Sequence, residues 1–157
     1  MNSSEHGDPR SHALYLHLVE VHKIYRRELT RLREEMAKLP TGSGISAFPR
    51  DMRLRDLRLN CMQFCDALRS HHSVEDGQMF PQLRQLSPAA GPIVDRLESE
   101  HRRIAELVSR LENTVTSLAR DPSSIAVMAK ELTELGDDLE AHLDNEENSL
   151  LEVLGSA

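Results

Sequence analysis

Four stretches of this chain place apolar residues three or four positions apart, and each pattern is interrupted by histidine or glutamate at one place only. The first, Ser11 to about Leu39, runs Leu14, Leu18, His22, Tyr25, Leu29, Leu32, Met36 and Leu39. The second, about Met52 to Leu86, runs Leu57, Cys61, Phe64, Leu68, His71 and Glu75, with Pro81 predicting a kink near its end. The third, about Pro92 to Ala119, gives Val94, Leu97, His101, Ile104, Val108, Leu111, Val115 and Leu118. The fourth, about Pro122 to Leu154, gives Ile125, Met128, Leu132, Leu135, Leu139, His142, Glu146, Leu150 and Val153. Spacing of this kind gives a helix one apolar face, and no stretch shows the sustained alternation of a strand.

The segments between them are turn-like. "LPTGSGISAFPRD" (Leu39 to Asp51), "LSPAAGP" (Leu86 to Pro92) and "RDPSS" (Arg120 to Ser124) are rich in Gly, Pro and Ser, and Asp121 before Pro122 predicts a helix N-cap. Short connections between amphipathic helices predict an all-α fold, an up-down-up-down antiparallel four-helix bundle. Residues 11–157 form its single domain, preceded by a flexible N-terminus over 1–10. The chain's 157 residues suffice for one well-filled core, and 3% aromatic content fits aliphatic helix packing.

The polar interruptions carry the functional information. Burying an unpaired carboxylate or imidazole costs several kcal/mol, roughly, or shifts its pKa, so six such groups on core stripes need a partner. At about 1.5 Å per residue along antiparallel neighbours, His22, His71 with Glu75, His101, and His142 with Glu146 all fall within roughly a turn of one level. Both His–Glu pairs stand at i and i+4, on one helix face. Inward nitrogen and oxygen ligands from facing helices are how bundles hold pairs of iron or manganese ions. The reading is therefore a metal centre bound by His22, His71, Glu75, His101, His142 and Glu146. His6, His12, His17 and His72 fall off the stripes and are expected to be solvated or peripheral.

Other classes are excluded or weakened. The net charge is −7 and the basic residues are interspersed with acidic ones, which argues against nucleic acid and anionic membrane as partners. No apolar run approaches a membrane span, and the start "MNSSEHGDPR" lacks a secretory apolar stretch, so the expected location is the cytoplasm. Cys61 and Cys65, one turn apart on one helix, read as small reduced core side chains rather than a redox pair.

These residues resemble the hemerythrin-like family, also called the HHE cation-binding domain, over about Leu14 to Leu154. "CMQFCDALRSHHSVEDGQMFPQL" is similar to the second-helix signature of a bacterial, non-carrier branch, and "VHKIYRREL", "ESEHRRIAEL" and "HLDNEENSLL" resemble the first, third and fourth helix motifs. The resemblance implies a non-haem di-iron centre, with manganese or a mixed pair as variants, bridged by Glu75, Glu146 and an oxo, hydroxo or water ligand. It also implies His22 and His71 on one side and His101 and His142 on the other. Oxygen-carrying members have a second histidine one turn after the third-helix histidine, where this chain has Ala105, and a more distant aspartate where it has Glu146. Four histidines and two carboxylates would leave more open positions than the carrier pattern, which counts against reversible oxygen carriage.

The expected function is to bind or react with a small oxidant: dioxygen, hydrogen peroxide or nitric oxide, with catalase-like peroxide breakdown as its enzymatic form. Leu18, Leu68, Leu97, Ile104 and Leu139 would enclose the centre. Tyr25 is either a further ligand or hydrogen-bonding group, or simple packing. The competing readings are an iron, oxygen or redox sensor signalling through metal occupancy, and a metal-free helical interaction domain. No feature of the sequence names a protein partner.

Overall fold

In the computed structural model, residues 9–39, 47–118, 120, 121 and 123–154 are described. The flexible N-terminus expected over 1–10 lies outside them except for Pro9 and Arg10, which open the first helix. The helices are α1 (Pro9–Ala37), α2 (Ala47–Val74), α3 (Phe80–Leu86), α4 (Gly91–Ser117) and α5 (Ser124–Leu154), and no strand occurs among the described residues. A π-helical turn, Glu75–Met79, joins α2 to α3 without a break, so these two make one long rod.

Neighbouring helices run antiparallel, as their cross-links show. Along α1 and α5, Arg26 pairs with Asp144 and Glu147 while Arg33 pairs with Asp137 and Glu140, so rising numbers meet falling ones. The same holds between α1 and α2, where Tyr25 reaches Ala67 and Glu35 reaches Asn60. Arg69 to Glu112 and Arg84 to Asp95 fix the second rod against α4, and Arg96 to Ser149 and Arg103 to Asp138 fix α4 against α5. Largely exposed pairs like these are each worth at most about 1 kcal/mol, but their order defines an up-down-up-down ring of four rods.

The predicted stripes are largely the buried ones. Every α4 stripe residue from Val94 to Leu118 is buried, as are Leu132, Leu135, Leu139 and Leu150 of α5. Leu14 is an exception at 39% exposed, because it lies near the outer end of α1. The apolar interior falls into two clusters: a larger one around Leu29, Leu57, Leu111 and Leu132, and a smaller one around Leu18, Phe80, Val94 and Leu150. The histidines and glutamates form a polar slab between them. Cys61 and Cys65 are both free and buried in the larger cluster.

The boundary expectations needed three corrections, the first being that α2 begins at Ala47, inside the stretch 39–51 read as a turn. Pro81 does not simply kink the rod. A proline has no N–H and its ring crowds the carbonyl four residues back, so a regular α turn there is disfavoured. The chain widens just before it, Phe80 N–H bonding to Glu75 C=O, five residues back. At the other end, α5 starts at Ser124 instead of Pro122, which lies outside the described residues. Asp121 caps the preceding turn by accepting the Ser123 N–H at 3.0 Å.

Candidate metal centre

All six predicted residues converge in the slab. His22 comes from α1, His71 from the end of α2, Glu75 from the π-turn, His101 from α4, and His142 and Glu146 from α5. Five are buried, and the His71 side chain is 14% exposed. Leu18, Leu68, Leu97, Ile104 and Leu139, the expected enclosure, are buried with them.

His72 corrects the sequence reading. It is 7% exposed, and its ring stacks on His101 with centroids 3.9 Å apart and planes 12° apart. The error lay in drawing the stripe of α2 through His71. At about 100° per residue, Glu75 points between His71 and His72, some 40° from one and 60° from the other. The rod sits at a corner of the ring, so one histidine faces α1 and the other faces α4. The clustered imidazoles therefore number five. Of the other off-stripe histidines, His17 is exposed, His12 is half-buried, and His6 lies outside the described residues.

The polar atoms form two groups, each with its ligand atoms within 4.8 Å of one another: His22, His71, Glu75 and Glu146, and His72, His101 and His142. Glu146 joins them. Its Oε1 lies 3.2 Å from His22 Nε2, while its Oε2 lies 3.1 Å from His142 Nε2 and 3.4 Å from His101 Nε2. Glu75 does the same less evenly, with Oε1 at 2.9 Å from His71 Nε2 and 3.7 Å from His101 Nε2. Close as they are, these atoms are not aligned as hydrogen bonds: the Nε2 atoms of all five histidines and both oxygens of each glutamate are buried without a hydrogen-bond partner in the protein. They aim at shared space. Buried polar atoms are rarely left so, and this nitrogen and oxygen donor set suits iron or manganese.

Two further carboxylates hold imidazoles from outside by hydrogen bonds, and a third approaches one without forming a bond. Asp76 lies 2.7 Å from His101 Nδ1, Glu100 lies 3.0 Å from His142 Nδ1, and Glu147 lies 3.4 Å from His22 Nδ1. A carboxylate can only accept, so the Asp76 and Glu100 contacts place the proton on Nδ1 and leave the Nε2 lone pair facing inward. Glu147 is itself gripped by both terminal nitrogens of Arg26. Sequence reasoning missed Glu100 and Glu147. No single-helix spacing marks these two, because each serves a histidine on another helix.

The charges follow from this crowding. Burial, then the neighbouring Glu146, pushes the Glu75 carboxyl up to about 12. Burial would raise Glu146 too, but the close approach of Glu75, His101, His142 and His22 holds it well below the usual carboxylate range. Burial lowers His71 to about 4 and His72 to about 2, with the other imidazoles adding to both. His142 moves up despite its burial, because Glu146 and Glu100 flank it. The two glutamates thus differ, Glu146 favouring the carboxylate and Glu75 the protonated carboxyl, and burial favours the neutral imidazole at His71 and His72.

Tyr25 is resolved in favour of packing. Its hydroxyl donates to the Ala67 carbonyl at 3.0 Å, while its ring lies 5.2 Å from that of His71. Two surface clefts approach the imidazoles on either side of α4. One, of about 280 Å³, is lined by His72, Asp76, His101 and Ala105; the other, of about 230 Å³, by Glu100, His142 and Asn145. No helix among the described residues is long and apolar enough to cross a membrane.

No curated protein and no solved structure matches the chain. A family model does, over residues 14–154, and its description is the hemerythrin HHE cation binding domain. That span takes in all four rods and every residue of the polar slab, and with it the chain belongs to the hemerythrin HHE cation-binding domain family.

Proposed function

We propose that the protein is a non-haem di-iron protein that binds or reacts with a small oxidant: dioxygen, hydrogen peroxide or nitric oxide. The observation that carries this reading is Glu146, whose two oxygens address two separate sets of histidines 3.1–3.4 Å away. His22, His71, Glu75, His101, His142 and Glu146 would hold the two ions, with Glu75 and Glu146 shared between them. Iron, or manganese in its place, would supply redox-active Lewis acids to the oxidant. The protein's own part is to fix the imidazoles through Asp76 and Glu100, hold the carboxylate charge in a dry interior, and exclude bulk water with Leu97, Ile104 and Leu139. A reducing cytoplasm is the compartment that suits two free, buried thiols.

Protein expressed with ample iron should carry two ions per chain. Its near-ultraviolet charge-transfer bands to ferric iron should change on adding azide or peroxide. Colourless protein with less than one ion per chain would overturn the reading. Peroxide disproportionation, two hydrogen peroxide giving two water and one dioxygen, is tested by oxygen evolution. Equal rates from wild type and Glu146→Ala would exclude the centre as its source.

The slab also supports a second reading, an iron, oxygen or redox sensor. Groups buried without partners make metal occupancy a condition for a tight bundle. Equal melting temperatures with and without metal would overturn that mechanism.

A further inference from the structure

We propose that His72 is a metal ligand, supplying from α2 the third imidazole of a set with His101 and His142. The assignment rests on the metal-centre reading above and goes beyond its six residues. A core histidine with a purely structural role has its ring nitrogens satisfied by protein groups. His72 does not: its Nε2 is buried without a hydrogen-bond partner, and one of its ring nitrogens lies within 4.8 Å of nitrogens of His101 and His142. Its ring stacks on His101 and makes an edge contact with His142 at 5.2 Å and 83°; because imidazole lone pairs lie in the ring planes, the His72 ring tilts off this stack to share an ion with His101.

The α4 position one turn beyond His101 is Ala105, which has no donor atom. Ala105 and His72 line the same cleft, so the volume a larger side chain would take from α4 lies open beside the α2 imidazole. The adjacent pair His71 and His72 therefore serves both sides of the centre, with Glu75 between them. One ion takes two imidazoles, from His22 and His71, and the other takes three.

Cobalt(II) is a suitable probe, because it takes the same ligands and shifts the N–H protons of coordinated imidazoles far from the diamagnetic region. Wild-type protein titrated with cobalt should bind two ions and show five shifted, exchangeable imidazole N–H signals in water. His72→Phe keeps a stacking ring without nitrogens. It should show four signals and bind one of the two ions at least about tenfold more weakly. The wild-type count needs no variant to fold. Two bound ions with only four signals, or wild-type affinity for both ions in His72→Phe, would overturn the assignment. A wild type that takes up no cobalt would instead overturn the metal-centre reading itself, and this assignment with it.

Discussion

Asp76, on the π-turn, holds His101 of α4 by its Nδ1 at 2.7 Å, the shortest of the three outer carboxylate contacts to the imidazoles. The pair links the widened turn to the opposite rod. Losing an outer carboxylate of this kind lowers metal affinity by about 10–100-fold. Asp76→Ala should show a loss of that size in chelator competition, and the metal-free variant should unfold at a lower midpoint, less stable by about 1–3 kcal/mol, because the buried His101 Nδ1 loses its acceptor.

Glu146 faces both histidine groups, and its loss should be felt on both sides. Glu146→Gln is expected to drop the metal content from two ions per chain to below one. Glu147→Gln, at a residue that approaches His22 of one group only and pairs with Arg26, should weaken binding without abolishing it. Mass-spectrometric metal counting of the two variants prepared in parallel decides the matter.

The metal-free protein should be most stable near pH 6.5. His71 and His72 are depressed to about 4 and about 2, so the stability they contribute is complete above 6.5 and is lost as pH falls below it. Glu75 is raised to about 12 from 4.5, so its contribution is lost as pH rises, at up to about 1.4 kcal/mol per unit. Below 6.5 the two histidines outweigh Glu75; above it Glu75 acts with His142, whose raised pKa works in the same direction. Urea unfolding from pH 6.5 to 9 should show a falling midpoint in the chelated wild type and a flatter one in Glu75→Gln. Equal slopes would refute the assignment of the proton to Glu75.

Leu111 lies in the larger apolar cluster, fully buried. Leu111→Ala should cost about 2–5 kcal/mol of stability. Each of the two ions, at about 100 times its dissociation constant, should add about 2.7 kcal/mol to wild type and variant alike. A metal increment that vanished in the variant would show that the core and the centre are not separable.

The sequence was legible wherever one helix carried the whole signal. His22, His101, His142 and Glu146 stood on regularly spaced apolar stripes, and each is buried. His72 was not legible in this way, because a rod at a corner of the ring has two inward-facing neighbours and a stripe drawn as a single line admits one. Glu100 and Glu147 were hidden for another reason: they act on histidines of other helices, so no spacing within α4 or α5 distinguishes them from solvated glutamates. The π-turn arises from Pro81 and the packing of Phe80, and three-and-four spacing does not register it.

That turn has a consequence for chain length. Five residues, where an α turn takes four, separate Glu75 from the next residue hydrogen-bonded to its carbonyl, yet Phe80 arrives fully buried with its ring 5.3 Å from that of His101. The rod is one residue longer than its packing requires, and the slack is stored beside the polar slab. Removing Gly77, around which a Cβ would meet nothing within 4 Å, would take up that slack with Phe80 still in place, and Pro81, with no N–H to close a regular turn, would then kink the rod. Elsewhere in a packed rod a one-residue deletion turns every later side chain away from the core; here it would be absorbed locally, and the aim of Asp76 toward His101 would register the change.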